Sequence, residues 1–124
     1  LRYLFDTNCC IYLFSSLYPQ LVKRVSETEH GDIALSSITY AELVLGSNLG
    51  KPPDPAALRL LVTQMPVLPF DDVAAGVYGR LPFRRGSFDR LIAAHAMALD
   101  LIFVTHNVAD FADIPGLKME DWTR

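Results

Sequence analysis

Short apolar runs separated by longer stretches of helical periodicity organise this chain. The runs are Tyr3-Leu4-Phe5, Ile33-Ala34-Leu35, Val67-Leu68, Leu101-Ile102-Phe103-Val104 and Leu117-Lys118-Met119, each short enough for a strand of a small sheet. Between them, apolar positions recur at helical spacing over residues 8–29, with a break expected near Pro19, and over 39–49, 55–64, 71–79 and 88–99. Strands that read as continuous apolar runs, rather than as strict alternation, belong to a parallel sheet covered on both faces. Right-handed crossovers then stack helices on either side. The pattern predicts an α/β fold, a three-layer α/β/α sandwich with a short, mostly parallel sheet of four to five strands. In such sheets ligands bind beyond the carboxyl ends of the strands, near the point where the strand order reverses.

The most breaker-rich stretch, Gly50-Lys51-Pro52-Pro53-Asp54-Pro55, is short enough for a loop between helices. No repeat or low-complexity tract divides the chain, so residues 1–124 read as a single domain. Its hydrophobic content of 51% over 124 residues is enough for a core that needs no disulfide or structural metal. The net charge of −3 excludes an overall basic field, so any anionic partner must be met by local chemistry. Cys9 and Cys10 are adjacent, which offers neither a loop-closing bridge nor the spaced pairs of a zinc site, and points to the reducing cytoplasm. The longest charge-free stretch, residues 7–22, contains Asn8, Ser15, Ser16, Pro19 and Gln20. Neither a membrane span nor a signal peptide is expected from it.

Four oxygen-bearing side chains fall where the strand-end rule directs attention. Asp6 follows Leu4-Phe5 directly, in Leu4-Phe5-Asp6-Thr7-Asn8; it can equally cap the next helix. Glu42 shares a helical stripe with Ile38, Leu45, Gly46 and Leu49, otherwise apolar or small, although a place at the boundary of the core also explains it. Asp89 stands in the first turn of a helix, where an acid meets the dipole favourably, yet its stripe continues through Ile92, Ala93, Ala96 and Leu99 without another charge. Asn107 follows the strand Ile102-Phe103-Val104, and an Asx-turn or N-cap explains it as well as a ligand role does. Asp110, one turn later, is a weaker candidate. If these groups converge, three neighbouring carboxylates require a cation or raised pKa values. Donors that are all oxygen suit Mg²⁺, with Mn²⁺ as a substitute, rather than zinc. The matching chemistry is metal-assisted phosphoryl transfer, with one ion or with two about 3.5 to 4 Å apart.

These residues resemble the PIN-domain ribonucleases, specifically the VapC-type toxins of bacterial toxin-antitoxin (VapBC) pairs. The resemblance rests on Leu4-Phe5-Asp6-Thr7-Asn8, on Ser36-Ser37-Ile38-Thr39-Tyr40-Ala41-Glu42-Leu43-Val44-Leu45-Gly46, on Phe88-Asp89-Arg90-Leu91-Ile92-Ala93-Ala94-His95-Ala96, and on Val104-Thr105-His106-Asn107-Val108-Ala109-Asp110-Phe111. The closing Ile114-Pro115-Gly116-Leu117-Lys118-Met119-Glu120-Asp121-Trp122 fits too. Each piece alone is weak, but their order and spacing cover nearly the whole chain. The resemblance implies a Mg²⁺-dependent endoribonuclease that cuts structured RNA, a tRNA or a ribosomal RNA loop, and so stops translation. It puts Asp6, Glu42 and Asp89 on the three acidic metal-site positions and Asn107 on the fourth, where members carry Asp or Asn. It further implies a homodimer, a higher hetero-oligomer with a cognate VapB-type antitoxin, and an antitoxin segment lying over the early helices, with Ile11-Tyr12-Leu13-Phe14 helping to form its groove.

One departure concerns the segment before Asp89, which is shorter than in many members and makes substrate choice by analogy unsafe. That segment holds Arg80, Arg84 and Arg85, and Arg90 follows, so four of eleven cations fall within eleven residues. Such a patch can hold RNA phosphates, with Phe83 or Phe88 available for stacking; the alternative is a solvated loop that pairs with surface acids. His95 reads as a packed core histidine, and His106 flanks Asn107 without a recognisable Ser-His-Asp or Cys-His pairing. Asp71-Asp72 read as a helix cap outside the site. Competing functions are a non-toxin PIN nuclease of RNA processing and a catalytically weak metal-binding interaction module, the latter favoured by the neutral Asn107. A receiver or an aspartyl-phosphate phosphatase also places Asp after strands, but the lysine of the one and the spaced second Asp of the other are missing.

Overall fold

Five strands, all parallel, pair in the order β3-β2-β1-β4-β5. The computed structural model describes residues 1–85 and 87–124; Gly86, in the arginine-bearing segment, lies outside the described residues. Along the chain the elements are β1 (Tyr3–Phe5), α1 (Thr7–Tyr12), α2 (Pro19–Glu27), β2 (Ile33–Ser36), α3 (Ser37–Asn48), α4 (Pro55–Gln64), β3 (Val67–Leu68), α5 (Asp72–Tyr78), α6 (Phe88–Ala98), β4 (Ile102–Val104), a 3₁₀ turn (Val108–Phe111) and β5 (Met119–Glu120). Tyr3 pairs with Ile33 on one side and Ile102 on the other, which makes β1 the central strand.

The continuous apolar runs are explained by burial on both faces. Tyr3 and Phe5 project to one side, where Leu35, Leu43, Leu61 and Trp122 join them, while Leu4 between them joins Ala34, Ile92, Phe103 and Phe111 on the other. Helix α6 meets this second face through Ile92, Ala93 and Ala96. No helix among the described residues is long and apolar enough to cross a membrane.

The expected break near Pro19 is present, and several boundaries shift by a residue or two from the sequence reading, the clearest at α3 and β5. The periodic stretch 8–29 divides into α1 and α2, and Pro19 starts the second helix, where its fixed φ is suitable and its missing N–H is no loss. Helix α3 starts at Ser37, directly after β2, because the Ser36 hydroxyl accepts from the Ile38 amide at 3.1 Å and caps it. The last strand is Met119–Glu120 rather than 117–119. Gly116 turns with φ +82°, and the amides of Phe103 and Thr105 donate to the carbonyls of Lys118 and Glu120 at 2.8 and 3.1 Å, so pairing begins beyond Leu117. Asp54 caps α4 by accepting from the Ala57 amide at 2.8 Å. Asp54→Ala should lower stability by about 1 kcal/mol in urea melts while leaving the distant site unchanged, and an unmoved midpoint would show the cap to be dispensable.

Candidate active site

The chain winds from β1 outward through β2 to β3 and then returns to the other side of β1 with β4 and β5. The order therefore reverses between β1 and β4, and the crevice at their carboxyl ends is where such sheets take ligands. Asp6 opens this crevice. Its amide donates to the Val104 carbonyl at 2.9 Å, tying the two strand ends together. Although Asp6 stands at the N-cap position of α1, its side chain makes no capping bond. Oδ2 accepts from the Thr105 hydroxyl at 2.8 Å, and Oδ1 is buried without any partner. Burial pushes this carboxyl up to about 6; the Thr105 hydrogen bond pulls it down and the nearby charge of Asp89 raises it further. A buried acceptor left unpaired is costly and uncommon. Asp6 thus makes no well-formed capping bond, although the Thr7 and Asn8 amides are close enough to lower its pKa.

Glu42 lies half-buried on α3, and its Oε1 accepts from the Thr7 hydroxyl at 2.6 Å. Thr39 Oγ1 stands 3.2 Å from Thr7 Oγ1, which extends a chain of hydroxyls beneath the carboxylate. Burial raises the Glu42 pKa, the Thr7 bond opposes this, and Asp89 adds to it. At α6 it is Ser87, not Asp89, that caps the helix: the Ser87 hydroxyl accepts from the Asp89 amide at 3.1 Å. Asp89 is left with a half-buried side chain whose pKa is raised by burial and, after the opposing Ser87 bond, by Asp110. Asn107 heads the 3₁₀ turn without capping it through its side chain. Its amide donates to Thr105 Oγ1 at 3.1 Å, so Asn107, Thr105 and Asp6 form one hydrogen-bonded series at the end of β4.

Asp6 and Glu42 both feel the charge of Asp89, and Asp89 that of Asp110. Among the described residues, however, no three Asp, Glu, His or Cys side chains close on a common point as a ready metal-ligand set. The donors nonetheless fit a hard divalent cation: they are oxygens only, and Asp6 holds a buried oxygen without a well-formed hydrogen bond among the described residues, the Thr7 and Asn8 amides only lowering its pKa. Thr7 and Thr105 are the polar partners that the sequence reading left without a role. Their only sequence signal was a hydroxyl at or just past a strand end; their partners, Glu42 and Asp6, lie 35 and 99 positions away.

The arginines do not stay together. Arg84, Arg85 and Arg90 line a cleft of 250 Å³ with Ser87, Asp89 and Asp110. Arg80 lines a different cleft, with Val77, Leu81, Met97 and Pro115. Arg90 is 4% exposed, and its guanidinium engages Asp113, which corrects its place in the surface patch. His95 is buried as expected, with Nδ1 2.9 Å from Ser36 Oγ and its ring edge-on to Phe70; burial lowers its pKa. His106 sits against Tyr12 and Tyr18, with Nδ1 2.8 Å from Thr123 Oγ1. Asp71 caps α5. Cys9 and Cys10 are free and buried, and burial pushes the Cys9 thiol up to about 12, which leaves it unreactive.

The PIN domain family model matches residues 3–117. The chain is 32% identical over 132 aligned positions to the tRNA(fMet)-specific endonuclease VapC of Shigella flexneri, with 99% of each chain covered. Its fold is similar to that seen in VapBC-1 from nontypeable Haemophilus influenzae, with a TM-score of 0.82, 33% identity and 100% of both chains covered. A second similar structure is VapBC2 from Rickettsia felis bound to a DNA fragment from their promoter, with a TM-score of 0.84, 28% identity and 98% and 99% of the two chains covered.

Proposed function

This chain belongs to the PIN-domain family as a VapC-type endoribonuclease, and from that premise we propose that it is a Mg²⁺-dependent toxin cleaving structured RNA, a tRNA or ribosomal RNA loop. On this reading it inhibits translation in the cytoplasm, acts as one PIN domain over residues 1–124, and is neutralised by a cognate VapB-type antitoxin. The observation that carries the reading is the buried, unpartnered Oδ1 of Asp6 at the reversal point of the sheet.

In this assignment Asp6, Glu42 and Asp89, with Asn107 as a neutral fourth group, hold the cation, and Mn²⁺ can replace Mg²⁺. The bound cation supplies positive charge that lowers the pKa of the attacking water and stabilises the leaving oxygen of the phosphodiester. The protein does the positioning. Thr105 occupies Oδ2 of Asp6 and leaves Oδ1 as the available donor, while Thr7 holds Glu42. Arg84 and Arg85 contact phosphates flanking the cut, beside Asp89. Phe83 and Phe88, 87% and 59% exposed, offer faces for unstacked bases. Arg80, on another cleft, contributes at most to a more distant stretch of RNA.

The antitoxin is assigned to the surface around 11–14, where Phe14 and the nearby Leu17 are exposed, a reading supported by the VapBC complexes among the structural relatives. A homodimer is assigned as well, supported by exposed Leu45 on α3, Leu49 at its C-cap and Leu60 on the adjoining α4, and a higher hetero-oligomer forms with antitoxin.

The test is incubation of antitoxin-free protein with total bacterial RNA in Mg²⁺ or EDTA, beside Asp89→Asn, with new 5′ ends mapped by sequencing. Discrete cuts that need Mg²⁺, and that fall about 10²-fold or more in the variant, are expected. No cutting by folded, Mg²⁺-loaded protein across many RNAs would sink the toxin mechanism. Thr105→Val supplies a pH test. The hydroxyl favours the charged carboxylate of Asp6, so its loss raises that pKa, weakens Mg²⁺ binding at low pH and moves the acid limb of activity to higher pH. A pH-rate profile should show the deficit on the acid limb and recovery as pH rises; coincident profiles would exclude a role for this bond.

A further inference from the structure

Arg90 directly follows Asp89 on α6, but its side chain turns away from water and is 4% exposed. Nη2 donates to the Pro82 carbonyl at 3.2 Å and to Asp113 Oδ2 at 2.9 Å. Nη1 donates to Asp113 Oδ1 at 3.2 Å and to the Asp110 carbonyl at 3.4 Å. One guanidinium therefore joins three pieces of chain. These are the segment entering Arg84 and Arg85, the first turn of α6 that carries Asp89, and the 3₁₀ turn that carries Asp110. Those same pieces enclose the 250 Å³ cleft in which Arg84 and Arg85 face Asp89 and Asp110. Arg84 also reaches Asp113, but only at 3.9 Å and with its own side chain 56% exposed. The fork of Arg90 occupies both Asp113 oxygens and leaves Arg84 largely in solvent.

We propose that Arg90 is a positioning residue that clamps the 82–85 segment against the Asp110 turn, so that Arg84 and Arg85 are held beside the carboxylate site for RNA phosphates. The proposal rests on the RNA-contact reading of Arg84 and Arg85 and adds the device that places them. The chemistry requires arginine. Four bonds to two backbone carbonyls and both oxygens of one carboxylate match a planar fork, whereas a lysine ammonium has the charge but not the geometry. Arg90 is assigned to positioning rather than to RNA contact, since both its Nη atoms are engaged inside the protein and the side chain, although it lines the cleft, is 4% exposed.

The test is binding of unfractionated tRNA across a salt series, in EDTA so that no cutting intrudes, with the urea midpoint of each variant measured alongside. The slope of log affinity against log salt reports the phosphates engaged. Replacing Arg84 and Arg85 together by Ala should flatten it by about 1.5. Arg90→Lys, which removes no charge, should flatten it nearly as much and weaken binding about tenfold, and adding it to the Arg84/Arg85 double variant should cause little further loss. Trypsin should cut after Arg84 and Arg85 faster in Arg90→Lys than in the parent.

Asp113→Asn opens the same clamp from the other side and keeps the question answerable if Arg90→Lys does not fold. Simple charge addition predicts tighter binding for that variant, whereas loss of the clamp predicts weaker binding and a flatter slope. If the parent shows no salt-dependent tRNA binding, the RNA-contact reading falls and the clamp's function falls with it. If the parent binds tRNA while Arg90→Lys and Asp113→Asn keep its slope, or if the losses simply add, the clamp alone is overturned.

Discussion

Asp6→Asn should abolish metal-dependent RNA cleavage, by about 10³-fold or more, and at the same time stabilise the metal-free protein above about pH 7. The two effects have one origin. A carboxyl raised from 3.8 to about 6 by burial holds its proton more tightly in the folded chain than in the unfolded one. Its contribution to stability is therefore most favourable below about pH 4, declines as pH rises toward 6, and is fully unfavourable above that. The displacement corresponds to about 3 kcal/mol, an upper figure because a buried Asn also needs partners for its amide. Urea melts in EDTA should show the variant more stable than the parent by about 1 to 2 kcal/mol at neutral pH, with the gap closing near pH 4.5. Mg²⁺ should stabilise the parent and not the variant. A variant less stable than the parent at both pH values, with no Mg²⁺ response in either protein, contradicts the assignment of Asp6 as the central ligand.

Trp122→Ala should cost about 3 to 5 kcal/mol, a large share of the stability of a domain this size. The indole is 2% exposed and meets Tyr3 and Phe5 edge-on, with centroids 4.8 and 5.3 Å away. Its Nε1 donates to Glu120 Oε1 at 2.8 Å, and the Arg24 guanidinium lies 4.6 Å from the ring centroid while bonding the same Glu120 oxygen at 3.1 Å. The side chain thus joins the C-terminal strand and α2 to the central strand that leads into Asp6. Chemical denaturation followed by circular dichroism should show a collapsed midpoint, and lost cleavage should track the unfolded fraction and return when an osmolyte restores folding. Trp122→Phe should retain most of the packing. A loss below about 1 kcal/mol in Trp122→Ala would mean that the cavity closes or that the ring matters less than its contacts indicate.

The helix over 55–64 was legible to the residue from its periodicity after the breaker-rich loop, and the fold starts it there because Asp54 caps it and Pro55 opens it, both acting through the nearest backbone. In the stretch 8–29 the break near Pro19 was legible from the proline, whereas the end of α1 at Tyr12 was not, since a hydrophobic stripe does not record where the chain turns back upon itself. At Asp6 the sequence offered capping and metal binding as equal explanations, and at Asp89 a favourable first-turn place on the helix dipole beside a ligand role. The fold keeps Asp89 in the first turn behind the Ser87 cap and gives Asp6 no side-chain cap bond at α1. The arginine patch misled through proximity in sequence. Arg80, Arg84, Arg85 and Arg90 lie within eleven residues, yet Arg80 lines a separate cleft and Arg90 is buried against Asp113, which leaves Arg84 and Arg85 as the exposed cations of the cleft that holds Asp89.

Periodicity and adjacency were enough for the alternation of strands and helices, the parallel sheet buried on both faces, and the placing of Asp6 and Asn107 at strand ends, because all of these are encoded within a few neighbouring residues. Other features needed the folded packing. Thr105 reaches Asp6 across 99 positions, Thr7 reaches Glu42 across 35, and Arg90 reaches Asp113 across 23. A hydroxyl or guanidinium can choose among many partners in the extended chain, and only the closed sheet and its helices bring the chosen one within bonding distance while excluding the water that would otherwise compete.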